Sequence, residues 1–210
     1  IGIDPHKLGP VYAVSKVFDM IDDQEEIIIN YCDFGTYWDY QYFLMHTRKR
    51  NADAAVPAYR HFHPHMMGHN HYAFIRQENQ WLSAIQEKKP FTDNRYEEYA
   101  SNGTYYFKCG KYVKKYFQDF LDSGCDLNGE YYVSMVYNLL AQDGLKISVY
   151  EIQHMLQWGT PEDLEEYQHW SNYFRDVMNP KYFTKENMTG KHINLIPMAG
   201  VGSRFKKEGY

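Results

Sequence analysis

The chain has 210 residues, of which 44% are hydrophobic and 18% aromatic, and its formal net charge at pH 7 is −5. This length allows one sizeable α/β domain with a buried core, and the composition argues against an intrinsically disordered chain. The acidic balance and the lack of a long Lys/Arg run argue against a general nucleic-acid binder, although a few focused cations are enough to bind a small phosphate. No apolar run approaches the roughly 18 residues of a membrane span, and three scattered cysteines predict reduced thiols in a cytoplasmic protein.

Segments with the character of strands and of helices alternate along the first 178 residues. Residues 26–32 form a continuous apolar run, which is typical of a strand buried in a parallel sheet, and the run ends on Asp33. A helix is predicted from Thr160 to about Met178, because a capping hydroxyl, a proline and two acids suit its first turn. Further strands are predicted at 52–59, 72–76, 81–86, 103–109 and 145–152, and further helical segments at 11–23, 37–50, 111–121 and 130–142. This alternation predicts an α/β fold with a mostly parallel sheet.

Charged side chains follow two of the predicted strands, at the sheet edge where open α/β folds bind their ligands. Asp33 is suited to hold a Mg²⁺ ion, and the alternative is a turn aspartate that bonds to local backbone. Glu87 and Lys88 are suited to hold an acceptor, the carboxylate binding a hydroxyl and the ammonium a phosphate. The alternative for this pair is a solvated charged turn.

A glycine loop lies near the end of the chain, after a short apolar run at 193–197. Its sequence, Ala199-Gly200-Val201-Gly202-Ser203-Arg204, lets the backbone approach a phosphate chain with its N–H groups pointing at the oxygens. The planar fork of Arg204 suits terminal phosphates. A Gly-x-Gly by itself fits an ordinary strand-to-helix turn equally well.

The longer string from His192 to Phe205 resembles the opening of the nucleoside-triphosphate sugar nucleotidyltransferases, which is written Gly-x-Gly-Ser/Thr-Arg. Residues 1–178 are similar to the body of the same family in a series of short motifs. These motifs are Gly9-Pro10, Tyr31-Cys32-Asp33, Glu87-Lys88-Lys89-Pro90, Gly103-Thr104-Tyr105, Asn128-Gly129-Glu130-Tyr131-Tyr132 and Trp158-Gly159-Thr160-Pro161. The resemblance implies an incomplete Rossmann-like fold of the glycosyltransferase A type.

The resemblance also implies a reaction. A nucleotidyl group would pass from a nucleoside triphosphate to a sugar 1-phosphate or a related small phosphate, with Mg²⁺ as cofactor and pyrophosphate as product. Such enzymes serve the synthesis of activated sugars or surface polysaccharides. We expect no nucleic-acid or membrane partner, and a homo-oligomer is left open.

Roles for individual residues follow from the same resemblance. Asp33 would bind the metal, and with Lys88 and Arg204 it would carry the catalysis. The acceptor would be bound by Glu87, Lys88, Gly103 and Glu130, although Glu130 is also interpretable as an ordinary acid at a helix start. The nucleotide would be bound by Gly9, near the base, and by Ala199, Gly200, Gly202, Ser203 and Arg204. The expected mechanism is in-line attack of an acceptor phosphate oxygen on the α-phosphorus, without a covalent enzyme intermediate.

The sequence departs from the family at one position of consequence. Many members carry an aspartate, a second metal ligand, two residues before the Gly-Thr pair, where this chain has Gln157. A neutral amide is a poor Mg²⁺ ligand. This departure leaves choline phosphate or another small phosphate open as the acceptor. It also suggests the alternative of a non-catalytic nucleotide- or sugar-phosphate-binding module.

Five histidines lie within eleven residues, at His61, His63, His65, His69 and His71. They are candidate ligands for zinc or nickel. The segment has no cysteine pair and no helical His-x-x-x-His pattern with a catalytic glutamate. A polar surface loop is therefore the favoured interpretation.

The order of the motifs differs from that of the family, in which the glycine loop comes first. We therefore expect residues 1–178 to be a nucleotidyltransferase domain without its phosphate-loop part, 179–191 a linker, and 192–210 the start of a second such domain. On this interpretation the chain is a piece of a tandem protein and is inactive alone. We also expect Ile193–Pro197 to pair beside the strand at 26–32.

Overall fold

A computed structural model describes residues 2–68 and 71–179. The helices are α1 (Gly9–Ser15), α2 (Tyr40–Lys49), α3 (Gly110–Ser123), α4 (Val133–Gln142) and α5 (Pro161–Val177), with short 3₁₀ turns at Phe18–Met20 and Pro64–Met67. The strands are β1 (Ile27–Asn30), β2 (Phe34–Tyr37), β3 (Ala54–Tyr59), β4 (Ala73–Glu78), β5 (Trp81–Glu87), β6 (Tyr99–Ser101), β7 (Thr104–Phe107), β8 (Ile147–Glu151) and β9 (His154–Gln157).

The main sheet is mixed, so the predicted mostly parallel sheet is wrong. Its central strand, β3, is buried along its whole length and pairs in parallel with β8. On its other side β3 pairs antiparallel with β7 and then with β6, which are consecutive segments of one bent strand. Among the described strands of this sheet, β3 and β8 form the one parallel pair.

A two-residue turn accounts for part of this difference. Asn79 and Gln80 join β4 to β5, and their φ angles are +50° and +62°. Positive φ at both central positions defines a type I′ hairpin turn, which can connect only antiparallel strands. Neither residue is glycine, so the strongest sequence signal for this turn is missing.

The strand predicted at 26–32 is shorter and less buried than expected. β1 is half-buried along Ile27–Ile29 and pairs antiparallel with β7. In the described part of the chain no strand pairs with its other side. The apolar run therefore forms an outer strand of the described sheet and lacks the full burial that we predicted for it.

Helices cover both faces of the main sheet. On one face, Val113, Phe117 and Phe120 of α3 pack with Tyr137 and Leu140 of α4 in the largest cluster of buried residues. Their spacing of three and four residues places them on one side of each helix. On the other face, Phe43 of α2 packs against Ala55 and Tyr106. Strand β3 contributes to both clusters, because successive side chains of a strand point to opposite faces of the sheet.

A small second sheet, which the sequence did not indicate, carries one side of the candidate site. β2 and β9 pair antiparallel, with Phe34 opposite Gln157. The backbone N–H of Trp158 donates to the carbonyl oxygen of Asp33 at 2.9 Å. This pairing brings Asp33, the residue before β2, against Trp158, the residue after β9.

The chain divides into two compact units, residues 1–167 and 168–210. The first unit contains both sheets, and the described part of the second is the remainder of α5 with Met178 and Asn179. The predicted linker after Asn179 and the predicted second domain at 192–210 lie outside the described residues. None of the helices in the described part of the chain is both long and apolar enough to cross a lipid bilayer.

Candidate functional site

Four of the predicted site residues line one cavity of about 220 Å³ in the first unit. Asp33 lies just before β2, Glu87 and Lys88 lie at the end of β5, and Gly103 lies between β6 and β7. Gln157 and Gly159, at the end of β9 and just beyond it, line the same cavity. The fold thus brings together residues that are up to 126 positions apart in the sequence, from Asp33 to Gly159.

Asp33 and Gln157 both lie beside Gly159. A Cβ atom added to Gly159 would lie 3.1 Å from Asp33 Oδ2 and 2.6 Å from Gln157 Nε2. The carboxylate and the amide therefore approach the same point of the backbone, and a larger residue than glycine would displace them.

Asp33 and Gln157 supply fewer ligands than a Mg²⁺ ion requires. In the described part of the chain, no three His, Cys, Asp or Glu side chains are grouped so that they could hold a metal ion by themselves. Mg²⁺ usually binds through one or two carboxylates and takes its other ligands from substrate phosphates and water. Asp33 fits an ion of this kind as a single carboxylate ligand, and Gln157 beside it offers a neutral amide, which is a poorer ligand.

Glu87 is the most buried acid of the cavity. Its Oε2 accepts a hydrogen bond of 2.5 Å from the Ser134 hydroxyl. Burial raises the pKa of Glu87, while the bond from Ser134 and the charge of Lys88 oppose this rise. The carboxyl group is thus held in a fixed place with limited contact to water.

Lys88 turns its side chain into the cavity through an unusual backbone conformation. Its φ is +59°, in the left-handed region, and its N–H donates to the Tyr72 carbonyl at 2.8 Å. Its ammonium donates to the Tyr132 hydroxyl at 2.6 Å, and that hydroxyl donates to the Glu130 carboxylate. Burial by itself would lower the pKa of Lys88, but the bond to Tyr132 and the nearby acids raise it.

Gly103 is required for two reasons. Its φ is +94°, and an added Cβ would lie 3.0 Å from the ring of Phe34 and 3.3 Å from that of Tyr31. A side chain would therefore be strained and would also collide with the aromatic wall of the cavity.

The remaining predicted residues are not part of the cavity lining that the structure describes. Gly9 begins α1, where an added Cβ would lie 2.8 Å from the backbone nitrogen of Tyr131, and it is not among the described residues that line the cavity. Glu130 is also absent from that lining and reaches Lys88 through Tyr132. The predicted nucleotide loop lies outside the described residues; it comprises Ala199, Gly200, Gly202, Ser203 and Arg204.

Sequence reasoning did not select several residues of the site. Tyr132 lies within the Asn128–Tyr132 motif, but only Glu130 was singled out there. Ser134 had no signal, since its partner Glu87 is 47 residues away. Tyr31, Tyr72 and Tyr105 also line the cavity. The chain contains 21 tyrosines, so the residue type alone did not distinguish these three.

The histidine segment is partly an aromatic packing element. His63 is only 6% exposed, so the prediction of a polar surface loop is wrong for it. The rings of His63 and His65 pack against Tyr59, with centroids 4.6 and 5.4 Å away. Burial, with a smaller effect from His63, lowers the pKa of His65 to about 3. His69 lies outside the described residues.

Comparisons with known proteins agree with this fold. No protein-family model and no curated protein matches the chain. Among solved structures, a nucleoside-diphosphate-sugar pyrophosphorylase from Vibrio cholerae RC9 is similar, with 18% identity and a TM-score of 0.60, over 78% of this chain and 66% of that one. A protein from Bacillus anthracis assigned as a glucose-1-phosphate thymidylyltransferase and solved with sucrose has 15% identity and a TM-score of 0.59, over 79% and 61%.

The chain thus spans less than two thirds of the length of either similar structure. At such low identity the likeness concerns the fold alone. The chain has a mixed α/β fold like that of sugar nucleotidyltransferases.

Proposed function

We propose that this chain belongs to an enzyme that transfers a nucleotidyl group from a nucleoside triphosphate to a sugar 1-phosphate or a related small phosphate. The observation that carries the proposal is the convergence of Asp33, Glu87, Lys88 and Gly103 on one cavity. These are the residues that the motifs assign to the metal and to the acceptor. The similar fold of two sugar nucleotidyltransferases supports the same reaction class.

Each residue has a role in this proposal. Lys88 places a positive charge where the acceptor phosphate would bind, and Glu87 accepts a hydrogen bond from an acceptor hydroxyl. Asp33, with Gln157 beside it, would hold Mg²⁺, which neutralises charge on the phosphates when bound. Gly103 lets the acceptor approach the backbone.

The proposed reaction is a single displacement. An oxygen of the acceptor phosphate attacks the α-phosphorus of the nucleotide, a new P–O bond forms, and the bond to pyrophosphate breaks. The glycine loop from Ala199 to Arg204 remains our proposal for binding the nucleotide phosphates.

The test is pyrophosphate release with each common nucleoside triphosphate, Mg²⁺ and a panel of sugar 1-phosphates, in the longest protein that contains this chain. We expect Asp33→Asn to reduce turnover by orders of magnitude with the fold intact, because a metal ligand is lost while the side-chain volume is kept. The matched control is Asp93→Asn, at an exposed aspartate outside the cavity lining. Unchanged turnover in Asp33→Asn would refute the role of Asp33.

A non-catalytic module that binds a nucleotide or a sugar phosphate is the second candidate. Gln157 favours it, because Asp33 then has a neutral amide beside it, where a second carboxylate would bind Mg²⁺ more strongly. Binding of a sugar phosphate without Mg²⁺-dependent pyrophosphate release would support this candidate over the first.

A further inference from the structure

We propose that Tyr132 and Ser134 are positioning residues that hold Lys88 and Glu87 in the geometry needed by the acceptor. The inference rests on the proposed function for its purpose, and on the contacts around the end of β5 for its evidence.

The backbone presents both side chains to the cavity. Neighbouring side chains of a strand point to opposite faces, so Glu87 and the next residue would normally diverge. Strand β5 ends at Glu87, and Lys88 follows with a φ of +59°. This left-handed residue breaks the alternation, and both side chains line the cavity.

Each member of the pair is then held by one residue of a distant segment. The Ser134 hydroxyl donates to Glu87 Oε2 at 2.5 Å, and the Lys88 ammonium donates to the Tyr132 hydroxyl at 2.6 Å. Ser134 is fully buried near the start of α4, so its position is fixed by the core. Two residues spaced i, i+2 therefore hold two adjacent residues that lie 44 and 47 positions away in the sequence.

The donors and acceptors available on Lys88, Tyr132 and Glu130 fix the direction of both hydrogen bonds between them. An ammonium can only donate, so the Tyr132 oxygen must accept from Lys88. The single hydroxyl proton of Tyr132 is then available to the Glu130 carboxylate, which can only accept when ionised. Glu130 thus orients Tyr132, which in turn places Lys88.

Positioning of this kind favours binding because a free lysine side chain has many rotamers to lose. Held by Tyr132, the ammonium is already ordered before the phosphate arrives. Glu87 is likewise oriented by Ser134 and needs no rearrangement to accept a hydroxyl. Loss of either anchor should weaken acceptor binding without removing the binding group itself.

The first experiment needs no ligand. Lysines are acylated with N-hydroxysuccinimide acetate, and the rate at Lys88 is measured by mass spectrometry against the exposed Lys49. Only the neutral amine reacts, and the contacts with Tyr132 and Glu130 disfavour it. We expect Tyr132→Phe to raise the Lys88 rate by about three- to tenfold. Glu130→Gln, which keeps an acceptor for Tyr132 but removes the charge, should give a smaller rise.

The chain offers a matched control. Outside the cavity, the hydroxyl of the buried Tyr116 in α3 donates to Asp143, to which Lys115 also donates, and Lys115 lies over the Tyr116 ring. This group contains the same three kinds of side chain as Lys88, Tyr132 and Glu130. Tyr116→Phe should leave the Lys88 rate unchanged. An unchanged Lys88 rate in Tyr132→Phe would overturn the proposed positioning.

The second experiment adds α-D-glucose 1-phosphate as the probe. It should protect Lys88 from acylation in the parent chain, and about tenfold more should be needed in Tyr132→Phe or Ser134→Ala. If Tyr132→Phe raises the Lys88 rate but neither this probe nor any other sugar 1-phosphate protects it, the positioning stands and the proposed function fails.

A pH profile separates positioning from a general structural effect. The groups that face Glu87 are Lys88, Glu130 and the hydroxyl groups of Tyr31 and Tyr105. The bond from Ser134 favours ionised Glu87. In Ser134→Ala, the loss of Lys88 protection that occurs as the pH decreases, which is the acid limb of the profile, should therefore begin at higher pH. A general loosening of the fold would lower protection at every pH and leave the limb in place, and that result would overturn the role of Ser134.

Discussion

Gly159 is a residue whose missing side chain leaves room for two functional groups. Its φ lies outside the left-handed region, so the backbone accepts alanine, but a Cβ would meet the ends of the Gln157 and Asp33 side chains. Both side chains are flexible and can move away. The position therefore matters more for the geometry of the site than for the stability of the fold.

We predict that Gly159→Ala changes the free energy of unfolding by less than about 1 kcal/mol while turnover falls by about 10- to 100-fold. Urea unfolding and pyrophosphate release measure the two effects. Gly35→Ala is the contrasting variant, because its Cβ would lie 2.9 Å from the rigid ring of Trp158. That change should destabilise the protein by about 1–3 kcal/mol. A large loss of stability in Gly159→Ala would contradict this view of the site.

Gln157 is the residue that limits the negative charge of the cavity. Since it lies beside Asp33, Gln157→Asp would place a second carboxylate near the first. We predict that the Mg²⁺ concentration at half-maximal turnover falls by about tenfold, because ligand charge increases affinity. Gln157→Asn, which shortens the side chain in the same way without adding charge, is the control. An equal effect of both variants would show that shape, and not charge, is limiting.

Among the elements, α4 is bonded to the main sheet through several side chains, including Ser134, Asn138 and the fully buried Tyr137. Tyr137 lies with its oxygen 2.9 Å from the Ala55 carbonyl and 3.0 Å from the Tyr106 carbonyl, so it ties α4 to β3 and β7. We predict that Tyr137→Phe lowers the free energy of unfolding by about 1–2 kcal/mol, measured in urea. Tyr72→Phe should have almost no effect on stability, since that hydroxyl is buried without a hydrogen-bond partner in the described part of the chain.

The histidine segment gives the fold a dependence on pH. The pKa of His65 is about 3, against 6.5 in the unfolded chain, because of burial and the nearby His63. The unfolded state then binds more protons between these values, so stability falls as pH decreases from about 6.5 towards 3. We predict that His65→Phe reduces this slope by up to about 1.4 kcal/mol per pH unit.

Urea unfolding between pH 4.5 and 6.5 measures the slope. Tyr59→Phe removes the hydroxyl that lies 3.1 Å from His65 Nε2 but keeps the titrating ring, so it should retain the slope. An equal slope in His65→Phe and the parent chain would assign the pH dependence to other groups.

Elements were predicted from the sequence where the residues that form them lie close together in the chain. Helix α3 was predicted at 111–121, where Val113, Phe117 and Phe120 repeat at helical spacing. Helix α5 was predicted because its start carries capping residues. The antiparallel pairings were not predicted, since the turn at Asn79 and Gln80 lacks glycine and strand partners leave no periodic mark. In the site, Asp33, Glu87, Lys88 and Gly103 had motifs, whereas Tyr132 and Ser134 act through contacts that only the fold creates.

For the whole molecule, the described core lies within the first compact unit. All described core residues lie between Val11 and Met155, and no residue of α5 is buried. We predict that a chain ending at residue 167 still unfolds in one cooperative transition in urea, followed by tryptophan fluorescence and near-ultraviolet circular dichroism. Loss of the cooperative transition would show that residues 168–210 are required for folding of the first unit.

The left-handed backbone of Lys88 restricts which replacements a lineage can sample at this position. Glycine and asparagine accept a positive φ readily, but each removes the charge, while valine, isoleucine and threonine keep neither the charge nor a relaxed backbone. Selection for folding and selection for phosphate binding therefore act on the same codon in different ways. In a mutational scan, Lys88→Gly and Lys88→Asn should be abundant among folded but inactive variants, and the β-branched replacements should be depleted from both pools.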